Sequence, residues 1–112
     1  LTSISEEILR KELLIGASLA DTVKAYAQNT KEAGLDGCVC SPLEAPIIAG
    51  LGLLSVTPGI RMEGDGKDDQ KRVTTPAMAR ELGSAYIVVG RSITGAADPA
   101  EAYTRCMKEF IG

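Results

Sequence analysis

Three short runs, Cys38-Val39-Cys40, Leu53-Leu54-Ser55-Val56-Thr57 and Ala85-Tyr86-Ile87-Val88-Val89, limit this chain to very few folds. Each is largely apolar at successive positions, and each is stopped at once by Ser-Pro, Pro-Gly or Gly-Arg. A strand with one wet face alternates polar and apolar residues. A strand apolar on both faces is buried on both, as in a parallel sheet covered by helices. Leu1 to Ile4 reads as a further short β-type run. The stretches between these runs carry helical patterns, so the expected order is β α β α β α β α, with four strands. Four such units make either a small doubly wound sheet or half of a β/α barrel.

The helix signals are local and specific. Ser5-Glu6-Glu7 starts a first helix, and Gly16 interrupts it. Ser18 precedes a second, in which Leu19, Val23, Tyr26 and Ala27 recur at three-to-four spacing before Ala33-Gly34 closes it. Ser41-Pro42 with Glu44 three residues after the serine is a cap-and-proline start for a third, ending near Gly50 to Gly52. Pro46 lies early enough to be tolerated there. Thr74-Thr75-Pro76 starts a fourth, with Met78, Ala79 and Leu82 on one face and Gly83 at its end. Asp98-Pro99 opens the last, with an inner stripe of Ala102, Tyr103, Cys106, Met107 and Phe110.

Composition removes several function classes. The 112 residues make one domain's worth of chain. Histidine is absent, which excludes serine–histidine and cysteine–histidine nucleophile systems and most zinc sites. A formal net charge of −3 argues against broad nucleic-acid binding but leaves room for a local anion pocket. No stretch is long and apolar enough for a membrane span, so no membrane partner is expected. Cys38, Cys40 and Cys106 are an odd set that does not read as a disulfide framework. Cys38 and Cys40, two apart on a strand, point to one face, and read as buried hydrophobes in a reducing cytoplasm rather than as a metal pair. No metal site is expected from these residues. The chain opens on Leu1-Thr2-Ser3-Ile4 without a methionine or a leader, and reads as a cut through a longer protein.

In parallel β/α folds the ligand groups follow the C-terminal ends of the strands. Four places qualify: Thr2-Ser3, Ser41, Thr57-Pro58-Gly59-Ile60-Arg61, and Gly90-Arg91-Ser92. At the last, glycine admits close approach, a helix start offers N–H groups, and arginine adds a two-pronged donor, a combination suited to phosphate. The long charged loop from Arg61 to Arg72 is either functional or plainly solvated. Within it Gln70, a neutral amide, is placed to close over a phosphate. Asp65, Asp68 and Asp69 lack the glycine and the terminal glutamate of a calcium loop. Hydroxyls at Thr2 and Ser3 either meet a polar ring edge or only cap the next helix, and the residues alone favour capping.

Taken together, Leu1-Thr2-Ser3, Ala33-Gly34-Leu35-Asp36-Gly37-Cys38-Val39-Cys40-Ser41, Val56-Thr57-Pro58-Gly59-Ile60-Arg61, Gly64-Asp65 through Asp69-Gln70-Lys71-Arg72-Val73, Thr75-Pro76 and Tyr86-Ile87-Val88-Val89-Gly90-Arg91-Ser92-Ile93-Thr94 stand in a telling order. The set resembles the C-terminal half of bacterial-type orotidine 5′-phosphate decarboxylases, over essentially all 112 residues. The resemblance implies an α/β fold that is half of a TIM-type (β/α)8 barrel, units 5 to 8. It implies conversion of orotidine 5′-phosphate to uridine 5′-phosphate and carbon dioxide in pyrimidine biosynthesis, a carboxy-lyase reaction without cofactor. It assigns Arg61, Gln70, Gly90 and Arg91 to the phosphate, Thr2 with Ser3 beside it to the pyrimidine edge, and Pro58 to an apolar wall of the base pocket.

The family's catalytic lysine and aspartate array belongs to the N-terminal half, so no catalytic residue is expected in residues 1–112, and this half alone is expected to be inactive. The expected partners are the nucleotide, an N-terminal half or a second copy, and a homo-oligomer in the cytoplasm. The exposed sheet edges are expected at Leu1–Ile4 and at Tyr86–Val89. Two other readings stay open: a related sugar-phosphate barrel of the hexulose-phosphate synthase type, and a non-enzymatic phosphate-binding or interaction domain.

Overall fold

The computed structural model describes residues 1–64 and 74–112. Helix α1 spans Glu6–Lys11 and α2 spans Leu19–Glu32. Strand β1 covers Gly37–Val39, followed by a 3-10 turn at Pro42–Glu44 and helix α3 at Ala45–Gly50. Strand β2 is Leu54–Ile60, α4 is Pro76–Glu81, β3 is Tyr86–Val89, α5 is Arg91–Thr94 and α6 is Pro99–Ile111. Serine, threonine or aspartate starts four of these helices. Ser5, Ser18, Thr75 and Asp98 each accept a hydrogen bond from the N–H three residues on, which answers one of the unpaired donors of a first turn.

The sheet of the described residues is parallel, with order β1-β2-β3. The expected fourth strand at Leu1–Ile4 is instead a turn, with the Ile4 N–H donating to the Leu1 carbonyl at 3.2 Å. A strand needs a ladder partner, and these residues spend a backbone pair on closing the turn. The sheet edges are therefore β1 and β3, which corrects the expectation at Leu1–Ile4 and upholds it at Tyr86–Val89. The third helix also differs: Ser41 caps, but toward the N–H of Leu43, and a 3-10 turn precedes α3. Pro46, without an N–H, sits in the first turn of α3, where none is needed.

Register fixes the two faces of the sheet. Gly37, Cys38 and Val39 pair with Leu54, Ser55 and Val56, while Val56 and Thr57 pair with Tyr86 and Ile87. In a parallel sheet, residues in register share a face and successive residues alternate. One face thus holds Cys38, Ser55, Thr57 and Ile87. It lies toward the helices, where Ala27 of α2 and Ile48 of α3 pack with Cys40 and Leu53. The other holds Val39, Leu54, Val56, Tyr86 and Val88 and is open, with Val39 64 % and Tyr86 59 % exposed.

The polarity runs against the usual rule, since the covered face carries hydroxyls and the open face is apolar. The hydroxyls are used. Ser55 Oγ accepts from the Ala85 N–H at 3.0 Å, and the fully buried Thr57 hydroxyl lies 3.1 Å from Ser84 Oγ and 3.3 Å from the Tyr86 carbonyl. These bonds lock the entry of β3 onto β2.

Pro58-Gly59, expected to stop the strand, does not stop it. From Thr57 to Ile60 the chain advances three residues while its partner advances two, from Ile87 to Val89, so β2 carries a bulge. Pro58 has no N–H for a ladder bond, and Gly59 takes φ +77°, so this pair suits the one place where a central strand skips a bond. The extra residue turns Ile60, 2 % exposed, to the covered face, although continued alternation would have left it on the open one.

In α6, Ala102 and Cys106 are buried as expected. Tyr103 and Met107 are more exposed than the stripe implied, and line an open apolar groove with Ile87, Val89 and Phe110.

Candidate functional site

The C-terminal ends of all three strands open on one side. A cleft of about 460 Å³ lies there, lined by Thr2, Ser41, Pro42, Leu43, Pro58, Gly59 and Thr74. Pro58 reaches it because it continues the open-face row of Leu54 and Val56 at the start of the bulge. Thr2 reaches it through the N-terminal turn. The alternative role for Thr2 and Ser3, capping the next helix, is filled by Ser5, whose hydroxyl accepts from the Ile8 N–H at 3.2 Å. Ser3 is exposed and is not part of the cleft lining.

Arg61 follows the bulge by two residues and is partly buried. Its N–H donates to the Thr74 carbonyl at 3.0 Å, and Ile60 bridges Thr74. The next N–H, of Met62, donates to Ser92 Oγ at 3.2 Å. Both amides at this turn are therefore engaged by protein, so an anion held here would be held by side chains. Gly90 precedes α5 and Arg91 begins it, with an exposed side chain. The structure thus joins the Arg61 turn to the Gly90-Arg91 turn beside a cleft that contains Thr2 and Pro58. Gln70 lies outside the described residues, as do Asp65, Asp68 and Asp69.

Two contributors escaped the sequence reading. Thr74, read only as part of a helix start, lines the cleft and pairs with the Arg61 turn. Ser92, noted only for its place in Gly-Arg-Ser, is the tie between turns. A hydrogen bond across 30 residues of chain leaves no local spacing to read.

Among the described residues the cleft lining offers hydroxyls, apolar surface and backbone, and no ionisable side chain. These described residues can orient a polar ring edge against the Pro58 wall, but they include neither a general acid nor a fixed cation.

Among the described residues, no group of three or more His, Cys, Asp or Glu side chains is placed to hold a metal ion. Cys38, Cys40 and Cys106 are free thiols. Burial pushes the Cys40 thiol up to about 11, helped by the nearby Glu44 and Cys38. In the unfolded chain this thiol ionises near 9, so between about pH 9 and 11 the folded state holds the extra proton. Stability from this group is therefore lost as pH rises through that window. Urea titrations from pH 8 to 11 are expected to give a falling midpoint, with the fall reduced in Cys40→Ala; an equal fall in both proteins would assign it elsewhere. No described helix is long and apolar enough to cross a membrane.

The sequence model of the "Orotidine 5'-phosphate decarboxylase / HUMPS family" matches residues 1–106. A relative from Bacillus cereus (strain Q1), named orotidine 5′-phosphate decarboxylase, is 53 % identical over 115 positions, covering 100 % of this chain and 48 % of the relative. The crystal structure of orotidine 5′-phosphate decarboxylase from Lactobacillus acidophilus superposes with a TM-score of 0.82 at 43 % identity, over 100 % of this chain and 46 % of that one. An uncharacterized conserved protein from Geobacillus kaustophilus gives a TM-score of 0.80 at 44 % identity, over 98 % of this chain and 45 % of its own. The chain spans about half the length of the curated relatives it matches.

Proposed function

From the premise that the chain belongs to the orotidine 5′-phosphate decarboxylase / HUMPS family, whose fold is a β/α barrel, we propose that residues 1–112 form β/α units 5 to 8 of a decarboxylase acting on orotidine 5′-phosphate. In this reading the half supplies the grip on the nucleotide, and an N-terminal half supplies the lysine and aspartate array at the reacting carbon. Arg61 and Arg91, with Gly90 and Gln70, hold the 5′-phosphate. Thr2, with Ser3 beside it, meets the pyrimidine edge, and Pro58 walls the base.

The observation that carries the reading is the convergence at one end of the sheet. Thr2 and Pro58 share a cleft, and the turns bearing Arg61 and Arg91 are joined by a single hydrogen bond next to it. The open apolar face supports the half-barrel assignment. Val39, Leu54, Tyr86 and Val88 are the side chains that another set of strands would cover in a closed barrel. The missing charges fit the same division of labour. Binding energy from a remote phosphate can order a closing loop and exclude water at the base, while groups elsewhere act on the carbon.

The names of the relatives support a nucleotide over a sugar phosphate. Calorimetry on the full-length protein tests this. Uridine 5′-phosphate is expected to bind at least about tenfold more tightly than uridine or a hexulose phosphate, the size of one charged phosphate contact. Tighter binding of the sugar phosphate would favour the synthase-type reading. Equal binding of nucleotide and nucleoside would remove the phosphate grip.

A further inference from the structure

The residues joined by the hydrogen bond from the Met62 N–H to Ser92 Oγ each stand next to an arginine, Arg61 on one side and Arg91 on the other. We propose that Ser92 is a positioning residue, which sets the spacing of the Arg61 and Arg91 turns and through it the affinity for the phosphate of the nucleotide. The inference rests on the phosphate reading above.

The two turns leave different strands, and the last ladder pair between those strands is Ile60 with Val89. Beyond it the strand that carries Arg61 turns toward Thr74, whose carbonyl takes the Arg61 N–H. The Ser92 hydroxyl therefore adds a cross-link above the ladder. Both of its ends are anchored. The Met62 side chain is buried, and Ser92 is the second residue of α5, which packs on α6.

Guanidinium groups recognise phosphate through directional paired donors, so their spacing matters as well as their charge. With the cross-link, that spacing is set before the ligand arrives. Without it, the two turns must be brought into place on binding, and the ordering cost appears as lost affinity. A nucleoside, which lacks the phosphate, does not feel the change.

The test is Ser92→Ala in the full-length protein, with uridine 5′-phosphate and uridine as probes and the thermal midpoint followed in parallel. The expected result is a loss of about 3- to 10-fold in affinity for the nucleotide, the size of one neutral hydrogen bond, with the affinity for uridine unchanged. Ser92→Thr, which keeps the hydroxyl, is expected to restore nucleotide binding. Equal weakening of both ligands, or no weakening of either, overturns the inference. Should Ser92→Ala not fold, Ser92→Cys, which keeps the shape and weakens the acceptor, is read by the same two outcomes. Arg91→Ala separates the premises. If it leaves nucleotide binding unchanged, the phosphate reading falls and this inference with it. If it weakens binding while Ser92→Ala does not, only the role of Ser92 falls.

Discussion

Purified residues 1–112, offered orotidine 5′-phosphate, are expected to release no measurable carbon dioxide, and addition of an N-terminal half is expected to restore turnover. Loss of the carboxylate leaves a carbanion at the ring, which needs a nearby cation while it forms and a proton once it has formed. Among the described residues the cleft at the strand ends is lined by Thr2, Ser41, Pro42, Leu43, Pro58, Gly59 and Thr74, none of which supplies either. Arg61 and Arg91 carry charge, but in the proposed pose they are engaged with phosphate, remote from the reacting carbon. Electrostatic stabilisation and general acid–base catalysis are each worth about 10²-fold or more, so losing both lowers the rate by roughly 10⁴-fold at least. A carbon dioxide assay with the half alone and with the reconstituted pair decides the matter. Robust turnover by the half alone would defeat the half-enzyme reading.

In the full-length enzyme, Arg91→Ala is expected to raise KM for orotidine 5′-phosphate by about 10- to 150-fold. That range is a charged arginine-to-phosphate contact of roughly 1.5–3 kcal/mol, converted to a ratio. Arg91 is exposed, at the start of α5, directly after the β3 strand end. Its removal therefore opens no cavity in the core, and the effect is expected in ligand binding without a matching loss of stability. Steady-state kinetics read the first and thermal unfolding the second. An unchanged KM rejects Arg91 as a phosphate ligand.

What the sequence made legible was local. Caps at Ser5, Ser18, Thr75 and Asp98 were readable because each is a side chain answering an N–H three residues away. The apolar run ending in Val89 marked its strand because Tyr86, Ile87, Val88 and Val89 are aromatic or β-branched, types that favour a pleated, half-buried surface. The two strand-end runs with Arg61 and Arg91 were readable for the same reason, since strand ends are where such folds hold ligands.

The unreadable parts were decided at a distance. Leu1–Ile4 has strand composition, but a strand exists only against a neighbour, and the turn closed by Ile4 and Leu1 replaces it. Ser55 and Thr57 look like the wet side of a strand. They lie on the covered face because Ala85, Ser84 and Tyr86, some 30 residues on, engage their hydroxyls. Pro58-Gly59 looks like a terminator, and only the pairing with β3 reveals that the strand resumes.

That resumption makes residue number itself carry information, much as a reading frame does in a gene. Before the bulge the odd positions Ser55 and Thr57 face the helices; after it the even positions Ile60 and Met62 are the buried ones. Arg61, between the buried Ile60 and Met62, thus has an odd number although the odd positions before the bulge were the buried ones. Deleting one of Pro58 and Gly59 would let β2 advance in step with β3, removing the bulge and leaving Ile60 opposite Val89 on the covered face. One residue more than the bulge absorbs would instead turn Ile60 and Met62 toward the open side and Arg61 toward the covered one. In this segment the pairing with β3 decides which side chains are inside, and the switch from odd to even numbers records where the extra residue was absorbed.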